Sequence, residues 1–184
     1  MKRLCGLLAV ALCVLPLAAQ DQEKIECRII YVPTDQAVVE KMLDMAQVTK
    51  KDVVYDLGCG DGRIVCTAAK KYGAKGVGVD IDPARIKDSK ETMKKFGVTA
   101  DQVDIRQGDA LKVKDLDRAT VIMFYMLPEF MEKLEPQVKK LRPGTRLVAH
   151  DYPFPNMEPD QVVEFATAGD RPRFLYLWTI KEKK

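Results

Sequence analysis

The sequence has little of what metal sites and disulfide frameworks require. His150 is the one histidine among 184 residues, and the five cysteines show no metal-ligand spacing. Two of these cysteines lie in an apolar N-terminal stretch, which leaves an odd number for the rest of the chain. We therefore predict neither a metal centre nor an internal set of disulfides.

A large excess of positive charge is also absent. The formal net charge is +3, and residues 1–20 hold two of the 30 basic residues and no acid, so the remainder is almost balanced. Its basic side chains alternate with acidic ones along the predicted helices, which is typical of solvated surface. No nucleic-acid partner is predicted. A chain of 184 residues with 47% hydrophobic content is long enough for one domain with a sizeable core.

The first twenty residues form a segment of their own. Lys2 and Arg3 precede an apolar run over residues 4–19, the pattern of a secretory signal peptide. The run is shorter than the roughly 20 residues of a spanning helix. Leu17 occupies a position where a cleavage site has a small residue, so an uncleaved membrane anchor stays open. We predict that residues 1–20 are a signal peptide or anchor, and that the domain, residues 21–184, is periplasmic, secreted or membrane-anchored.

A glycine-rich turn between two apolar runs is the most informative stretch. Residues 53–55 are β-branched and aromatic, as in a buried parallel strand, and DLGCGDG follows at residues 56–62. Glycines such as Gly58 and Gly60 adopt positive φ readily and let a ligand lie against the main chain. The helix that follows, predicted over residues 61–72, offers unpaired N–H groups to the same ligand. This pattern predicts a nucleotide-type binding site.

Two acids narrow the choice of nucleotide. A second strand, residues 76–79, ends at Asp80, where an acid in a βαβ unit accepts hydrogen bonds from ribose hydroxyls. Asp56 would repel the pyrophosphate of NAD, but it would attract the α-ammonium of a cofactor that contains an amino acid. The two acids together favour S-adenosylmethionine and make an NAD-dependent dehydrogenase a distant alternative.

Further strands are predicted to end at the same edge. The third strand, residues 103–106, is followed by Asp109, which could accept a hydrogen bond from an exocyclic amine. Residues 119–127 form the most apolar run, so we expect a central strand beside the first one. Phe124 and Tyr125 are therefore expected near the ligand, close to the group that is transferred.

The C-terminal third contains one more parallel strand and a hairpin. The strand, residues 146–149, ends at His150 and Asp151. A lone histidine is usually structural, but its place on the ligand side makes it a candidate functional residue. Residues 162–167 and 174–180 are predicted to form a hairpin that adds an antiparallel edge.

A proline-containing segment, Tyr31 to Thr34, precedes the first helical pattern. Thr34 is a predicted N-cap of that helix. Because Pro33 rigidifies the segment just ahead of the first strand, we expect the segment to fold over a ligand held at the tip of that strand.

In these features the chain resembles the class I S-adenosylmethionine-dependent methyltransferases, whose first motif has the form D-x-G-x-G-x-G. The resemblance implies an α/β fold with a Rossmann-like seven-stranded sheet, mostly parallel with an antiparallel C-terminal hairpin strand and helices on both faces. Within that class the chain looks most like the small group that includes the lysine methyltransferases of the ATP synthase c-subunit and of the adenine nucleotide translocase. This likeness rests on YVPT, VVYDLGCGDGRIV, VGVDIDP, FYMLP and RLVAHDYPFP.

The resemblance implies S-adenosylmethionine as the cofactor and a set of residues around it, with no metal. The cofactor-binding positions are Tyr31, Thr34, Asp56, Gly58, Cys59, Gly60, Asp80, Ile81, Asp109, Ala110 and Phe124. Asp109 is implied to accept from the adenine amino group. Tyr125, His150 and Asp151 are candidates for guiding the acceptor amine or passing on its proton.

The predicted activity is transfer of a methyl group to a protein lysine. Methyl transfer is an in-line displacement, so it needs alignment and a neutral nucleophile. A lysine with a pKa near ~10.4 must lose its proton first, and burial beside a sulfonium lowers that pKa. Two alternatives stay open, a small-molecule acceptor and a noncatalytic domain that binds an adenosyl metabolite outside the cytoplasm. We expect a monomer that could associate with a membrane through residues 4–19.

Overall fold

The computed structural model describes residues 31–166 and 171–182, which form a seven-stranded sheet with helices packed against it. The strands are β1 (Val53–Leu57), β2 (Lys75–Asp80), β3 (Val103–Gln107), β4 (Val121–Phe124), β5 (Arg146–His150), β6 (Gln161–Phe165) and β7 (Arg173–Thr179). The α-helices are α1 (Gln36–Met45), α2 (Arg63–Tyr72), α3 (Pro83–Phe96) and α4 (Pro128–Val138). Two short 3-10 helices span Ala110–Lys112 and Leu116–Arg118.

The strand order is β3-β2-β1-β4-β5-β7-β6. Strands β1 to β5 are parallel, and β7 pairs antiparallel with both β5 and β6. The chain moves outward from β1 to β3 and then restarts at β4 on the other side of β1. The carboxyl ends of β1 and β4 therefore flank the switch point at which open α/β sheets bind ligands. The predicted fold class, including the antiparallel C-terminal hairpin, is confirmed.

Both faces of the central strands are buried, because successive side chains of a strand point to opposite faces. In β1, Tyr55 and Leu57 pack into the core that α4 covers. Val54, whose side chain points the other way, packs into the core beneath α1 and α2. All four residues of β4 are fully buried. The near-continuous apolar runs of β1 and β4 thus follow from helices on both faces.

The helix that follows β2 shows how local sequence sets the element boundaries. Pro83 is at its first position, where the missing N–H leaves no hydrogen bond unmade. A carboxylate oxygen of Asp82 accepts from the Ala84 N–H at 2.8 Å and caps the helix. Gly97 ends the helix in the left-handed conformation. These caps place the start of α3 beside the ends of β1 and β2.

Three sequence-based boundaries need correction. The central strand was predicted over residues 119–127, but β4 ends at Phe124, and the following residues leave the sheet. The first crossover helix begins at Arg63 rather than at Asp61, because the glycine-rich turn continues through Gly62 at φ 72°. The third correction concerns Thr34, which is not the N-cap of α1.

The N-cap position of α1 belongs to Asp35, whose side chain makes no capping hydrogen bond. Thr34 is instead buried. The predicted leader, residues 1–20, lies outside the described residues, as does most of the turn between β6 and β7. Within residues 31–166 and 171–182, no helix combines the length and apolarity that crossing a bilayer requires.

Candidate active site

A pocket of about 330 Å³ opens at the carboxyl ends of the central parallel strands. Its wall is built from five stretches of chain, which are residues 31–34, 56–64, 80–85, 109–111 and 125–130. Four of these stretches follow the ends of β1, β2, β3 and β4, and the fifth is the segment ahead of α1. Strand ends that are distant in sequence therefore contribute to one cavity.

The glycine-rich turn forms the part of the wall after β1. Gly58 and Gly60 have φ values of 82° and 54°, in the left-handed region that favours glycine. A Cβ on Gly58 would lie 2.4 Å from the sulfur of Met126, and one on Gly60 would lie 2.4 Å from Cε2 of Tyr31. Larger residues would therefore collide with the opposite walls of the pocket, which leaves bare backbone facing the cavity.

Asp80, the last residue of β2, holds this turn in place. One of its carboxylate oxygens accepts from the Gly60 N–H at 2.8 Å, and the other accepts from the Asp82 N–H at 2.9 Å. A carboxylate offers about four lone-pair sites, so each oxygen keeps capacity for a further donor. Asp80 thus shapes the loop and still presents an acceptor to the pocket that it lines.

Asp56 is a buried acid at the floor of the pocket, with 3% of its surface exposed. Burial, with added repulsion from Asp80 and Asp61, raises the pKa of its carboxyl to about 8. A carboxyl so placed favours a cation that can enter beside it, because a charge-assisted contact compensates for lost solvation. The pocket is therefore chemically suited to an ammonium group at this end.

The segment from Tyr31 to Thr34 lines the pocket opposite the glycine-rich turn. Arg63 ties the two together, since it donates to the Thr34 carbonyl at 2.8 Å and forms an ion pair with Asp61 at 2.6 Å. The ring of Tyr31 lies against Gly60, and the guanidinium of Arg85 stacks on it at 4.5 Å from the ring centre. The segment is thus held over the tip of β1, where the sequence predicted it.

Three more of the predicted cofactor positions line the pocket after β2 and β3, namely Ile81, Asp109 and Ala110. Asp109 also has a local task, because its side chain accepts from the Leu111 N–H at 2.9 Å and caps the short helix there. Its other carboxylate oxygen lies 3.2 Å from Lys112. This capping hydrogen bond therefore fixes the side-chain conformation in which Asp109 lines the cavity.

Of the three predicted catalytic residues, Tyr125 alone lines the pocket. His150 is 2% exposed and lies behind it, with its ring centre 4.0 Å from that of Tyr125 and Nδ1 3.3 Å from the Thr34 hydroxyl. Burial lowers the pKa of His150 well below its usual range, so the ring is neutral at pH 7. The carboxylate of Asp151 is paired with Arg171 and Arg173. The structure does not bring His150 or Asp151 to the wall of the pocket.

Phe124 also lies elsewhere than predicted. Its side chain is fully buried and meets Phe154 edge-on at 5.4 Å, within the core beneath α4. The place expected for Phe124 is taken by Met126 and Phe130, which line the pocket and which sequence reasoning missed. The end of β4 is the feature that would have identified them, because the residues that follow a strand ending at Phe124 belong to the pocket.

Cys59 lines the pocket as predicted, and its buried thiol is unreactive. Burial raises the pKa of this thiol far above its ordinary value, so it stays protonated. The sulfur atom of Cys59 lies 2.9 Å from the position that a Cβ on Gly78 would take. Among residues 31–166 and 171–182, no three or more His, Cys, Asp or Glu side chains gather as metal ligands.

Several known proteins are similar in sequence to this chain. The family model described as the ANTKMT methyltransferase domain matches residues 56–161. A protein-lysine N-methyltransferase of Saccharolobus islandicus is 41% identical over 156 residues, which are 84% of this chain and 95% of that protein. The ATP synthase c-subunit lysine N-methyltransferase of Xenopus laevis is 32% identical over 133 residues, 72% of this chain but only 57% of the longer relative.

A solved methyltransferase structure is also similar to this chain. The crystal structure of an RNA methyltransferase from Salinibacter ruber in complex with S-adenosyl-L-homocysteine superposes with a TM-score of 0.76. It is 44% identical, and the match covers 83% of this chain and 96% of that one. The cradle of Asp56, Asp80 and the bare backbone at Gly58 and Gly60 fits the ammonium and hydroxyl groups of that class of ligand. The chain therefore belongs to the ANTKMT family of methyltransferases and uses S-adenosylmethionine.

Proposed function

We propose that the chain is a protein-lysine N-methyltransferase. The observation that carries this proposal is the 41% identity, over nearly the whole of both chains, to a protein-lysine N-methyltransferase. The pocket supports it. The part of its wall that follows β4 consists of Tyr125, Met126 and Phe130, none of which is an acid that would stabilise a charged acceptor. Such a lining fits a long aliphatic side chain that ends in a neutral amine.

The residues that follow β1, β2 and β3 have complementary tasks in this proposal. Asp56 would bind the α-ammonium of the cofactor, Asp80 the ribose hydroxyls and Asp109 the adenine amino group. Ile81 and Ala110 would contribute apolar contacts beside Asp80 and Asp109. The turn at residues 58–60 would bring main chain close to the bound molecule, as its positive φ angles permit.

S-adenosylmethionine supplies a sulfonium methyl group, whose S–CH₃ bond breaks as the N–CH₃ bond forms, giving S-adenosylhomocysteine and a methylated ammonium that later loses its proton to water. The chain has to present a neutral amine in line with that bond. Tyr125 would orient the amine through its hydroxyl oxygen, while Met126 and Phe130 exclude water. The neutral, buried His150 would hold the Tyr125 ring by stacking on it.

The pKa of Asp56 predicts how affinity for the cofactor depends on pH. Below pH 8 the empty site holds a protonated carboxyl, so binding of an ammonium must release that proton. Affinity should therefore rise about tenfold per pH unit from pH 6 to about pH 8, and fall above it as the cofactor's own α-amino group loses its charge. Titration calorimetry across this range, in two buffers with different ionisation heats, measures both quantities. A flat affinity between pH 6 and pH 8, with no proton released, would contradict a raised pKa at Asp56.

A labelling experiment tests the acceptor class. The full chain is incubated with S-adenosylmethionine carrying a radioactive methyl group and, separately, with the protein, RNA and small-molecule fractions of the same cell extract. We expect the label in protein, released after hydrolysis as methylated lysine. The RNA fraction serves as a competing candidate, because the Salinibacter ruber neighbour is described as an RNA methyltransferase. Label in RNA or in small molecules alone would reject the lysine assignment and leave the methyltransferase intact.

A further inference from the structure

Behind Tyr125 lies a cluster of charged side chains that the proposed function does not use. It consists of Asp151, which follows β5, with Arg171 and Arg173 at the start of β7. The Asp151 carboxylate accepts from Arg171 at 2.7 Å and from Arg173 at 3.2 Å. The same Nη1 of Arg173 lies 3.5 Å from the Tyr125 hydroxyl oxygen. Arg173 thus connects the acid to the phenol that lines the pocket.

The backbone at this place is held in an uncommon conformation. Asp151 has φ 61°, in the left-handed region that residues other than glycine rarely occupy. Its N–H donates to the Phe174 carbonyl at 2.7 Å, and its carboxylate accepts from the Phe174 N–H at 3.2 Å. Two strand ends are therefore clamped so that the carboxylate meets Arg173. Backbone strain of this kind concentrates at functional sites.

The charges around Arg173 do not cancel within the cluster. Two guanidinium groups share the single carboxylate of Asp151. His150 lies 3.7 Å from the same carboxylate and is neutral because it is buried. Asp35, the acid from the N-terminal segment that acts on His150, is exposed to water, which screens its charge. Of the two guanidinium groups, Arg173 is the more buried, with 18% of its side chain exposed against 62% for Arg171.

We propose that Arg173 is a positioning residue for methyl transfer, which orients the Tyr125 hydroxyl and disfavours the protonated form of the acceptor amine. The proposal rests on the lysine acceptor argued above. A guanidinium has donors only, so its contact occupies a lone pair of the phenol oxygen and limits the directions in which that hydroxyl can act. Its charge, behind the phenol, repels an ammonium in the pocket and favours the neutral amine that displacement needs.

The burial of Arg173 Nε supports this proposal. That atom is buried and has no hydrogen-bond partner among residues 31–166 and 171–182, although most buried polar atoms in proteins have one. Arg171 pairs with the same carboxylate from a largely exposed position, so the ion pair with Asp151 does not by itself require a buried guanidinium. The orientation observed for Arg173 is the one that keeps Nη1 between the carboxylate and the phenol.

The test uses Arg173→Gln, Arg173→Lys and, as the matched control, Arg171→Gln, which removes the other partner of Asp151 without touching Tyr125. Initial methylation rates are measured from pH 6 to pH 10 with the full chain. The acceptor probe is a dialysed, nuclease-treated protein extract. Cofactor affinity and melting temperature are measured alongside, so that a variant that has lost its fold is recognised.

For Arg173→Gln we expect the rising limb of the rate profile to move about 1.5 to 2 units to higher pH, as a unit charge at about 6 to 8 Å and an effective dielectric constant near 20 would produce. The rate at pH 7 should therefore fall about 30- to 100-fold, with unchanged cofactor affinity. Arg173→Lys should restore the position of the limb but not the full rate. Arg171→Gln should displace the limb much less than Arg173→Gln does, because water screens the charge of its exposed side chain.

Two results would overturn the proposal. One is an Arg173→Gln profile that coincides with that of the unaltered chain, and the other is an equal displacement in Arg171→Gln. A folded Arg173→Gln variant that loses cofactor affinity would also reject it, because the residue would then act at the other end of the pocket. If the unaltered chain labels no protein at all, the lysine assignment fails first, and this proposal fails with it.

Discussion

Replacing Asp56 with asparagine should abolish cofactor binding and, at the same time, stabilise the empty protein. Removing one partner of a desolvated, hydrogen-bonded charge pair costs about 2 to 5 kcal/mol, so affinity should fall by about 30- to 5,000-fold. Activity at ordinary cofactor concentrations should disappear with it. Titration calorimetry with S-adenosylmethionine measures the first effect directly.

The stability gain follows from the direction of the pKa shift. The folded pKa of about 8 lies above the value near ~3.9 of an unfolded chain, so folding favours the protonated carboxyl. The free energy of unfolding is therefore undiminished below about pH 4 and declines as pH rises towards pH 8. Asparagine cannot ionise, and the melting temperature of the variant should exceed that of the unaltered chain by several degrees at pH 7 to 8.

Asp117→Asn is the matched control, because Asp117 is exposed, in the short helix Leu116–Arg118, and does not line the pocket. It should change neither affinity nor the pH dependence of melting. Two findings would refute this account of Asp56. They are tight binding by Asp56→Asn, and a melting-temperature difference that does not grow between pH 4 and pH 8.

Gly60→Ala should also remove cofactor binding, by a steric route. The added methyl group would lie 2.4 Å from Cε2 of Tyr31, so the ring or the loop has to move. The N–H that donates to Asp80 belongs to the same residue, so loop movement also disturbs the acid at the end of β2. We expect a loss of affinity of about 100-fold, together with about 1 to 2 kcal/mol of lost stability for an L-residue in the left-handed region.

Gly144→Ala separates these two effects. Gly144 has φ 84°, and a Cβ there would meet no atom within 4 Å. It should therefore lose a similar amount of stability while cofactor affinity stays unchanged. Thermal melting and calorimetry on both variants give the comparison. Unaltered affinity in Gly60→Ala would show that the turn does not approach the cofactor.

The residues of the site that could be predicted from the sequence are those whose positions follow directly from the backbone of a strand or of the glycine-rich turn. Asp56, Gly58, Gly60 and Asp80 lie at fixed offsets from two strands, and the end of a parallel strand determines the edge at which its next residue emerges. These four line the pocket as expected. The central place of β1 and β4 was predictable for a related reason, since their apolar runs require burial on both faces.

The part of the pocket that follows β4 was harder to predict, because it depends on where that strand stops and on packing across the sheet. Phe124 and Tyr125 are neighbours in an apolar run, and nothing local tells which one still belongs to the strand. His150 and Asp151 end a strand on the ligand side, as predicted. They are nevertheless separated from the cavity by Tyr125, and Asp151 is bound by arginines 20 or more residues later in the chain. Such contacts between distant segments leave no periodic signal.

The short β4 has a consequence for how enzymes of this kind diversify. Its four residues are completely enclosed by the core, whereas Tyr125 and Met126, directly after it, face the cavity. Under the proposed function, substitutions at these two positions would alter which acceptor is accommodated while the sheet keeps its packing. On that proposal, selection for a new acceptor would proceed by small steps, each of which leaves the core of the sheet intact.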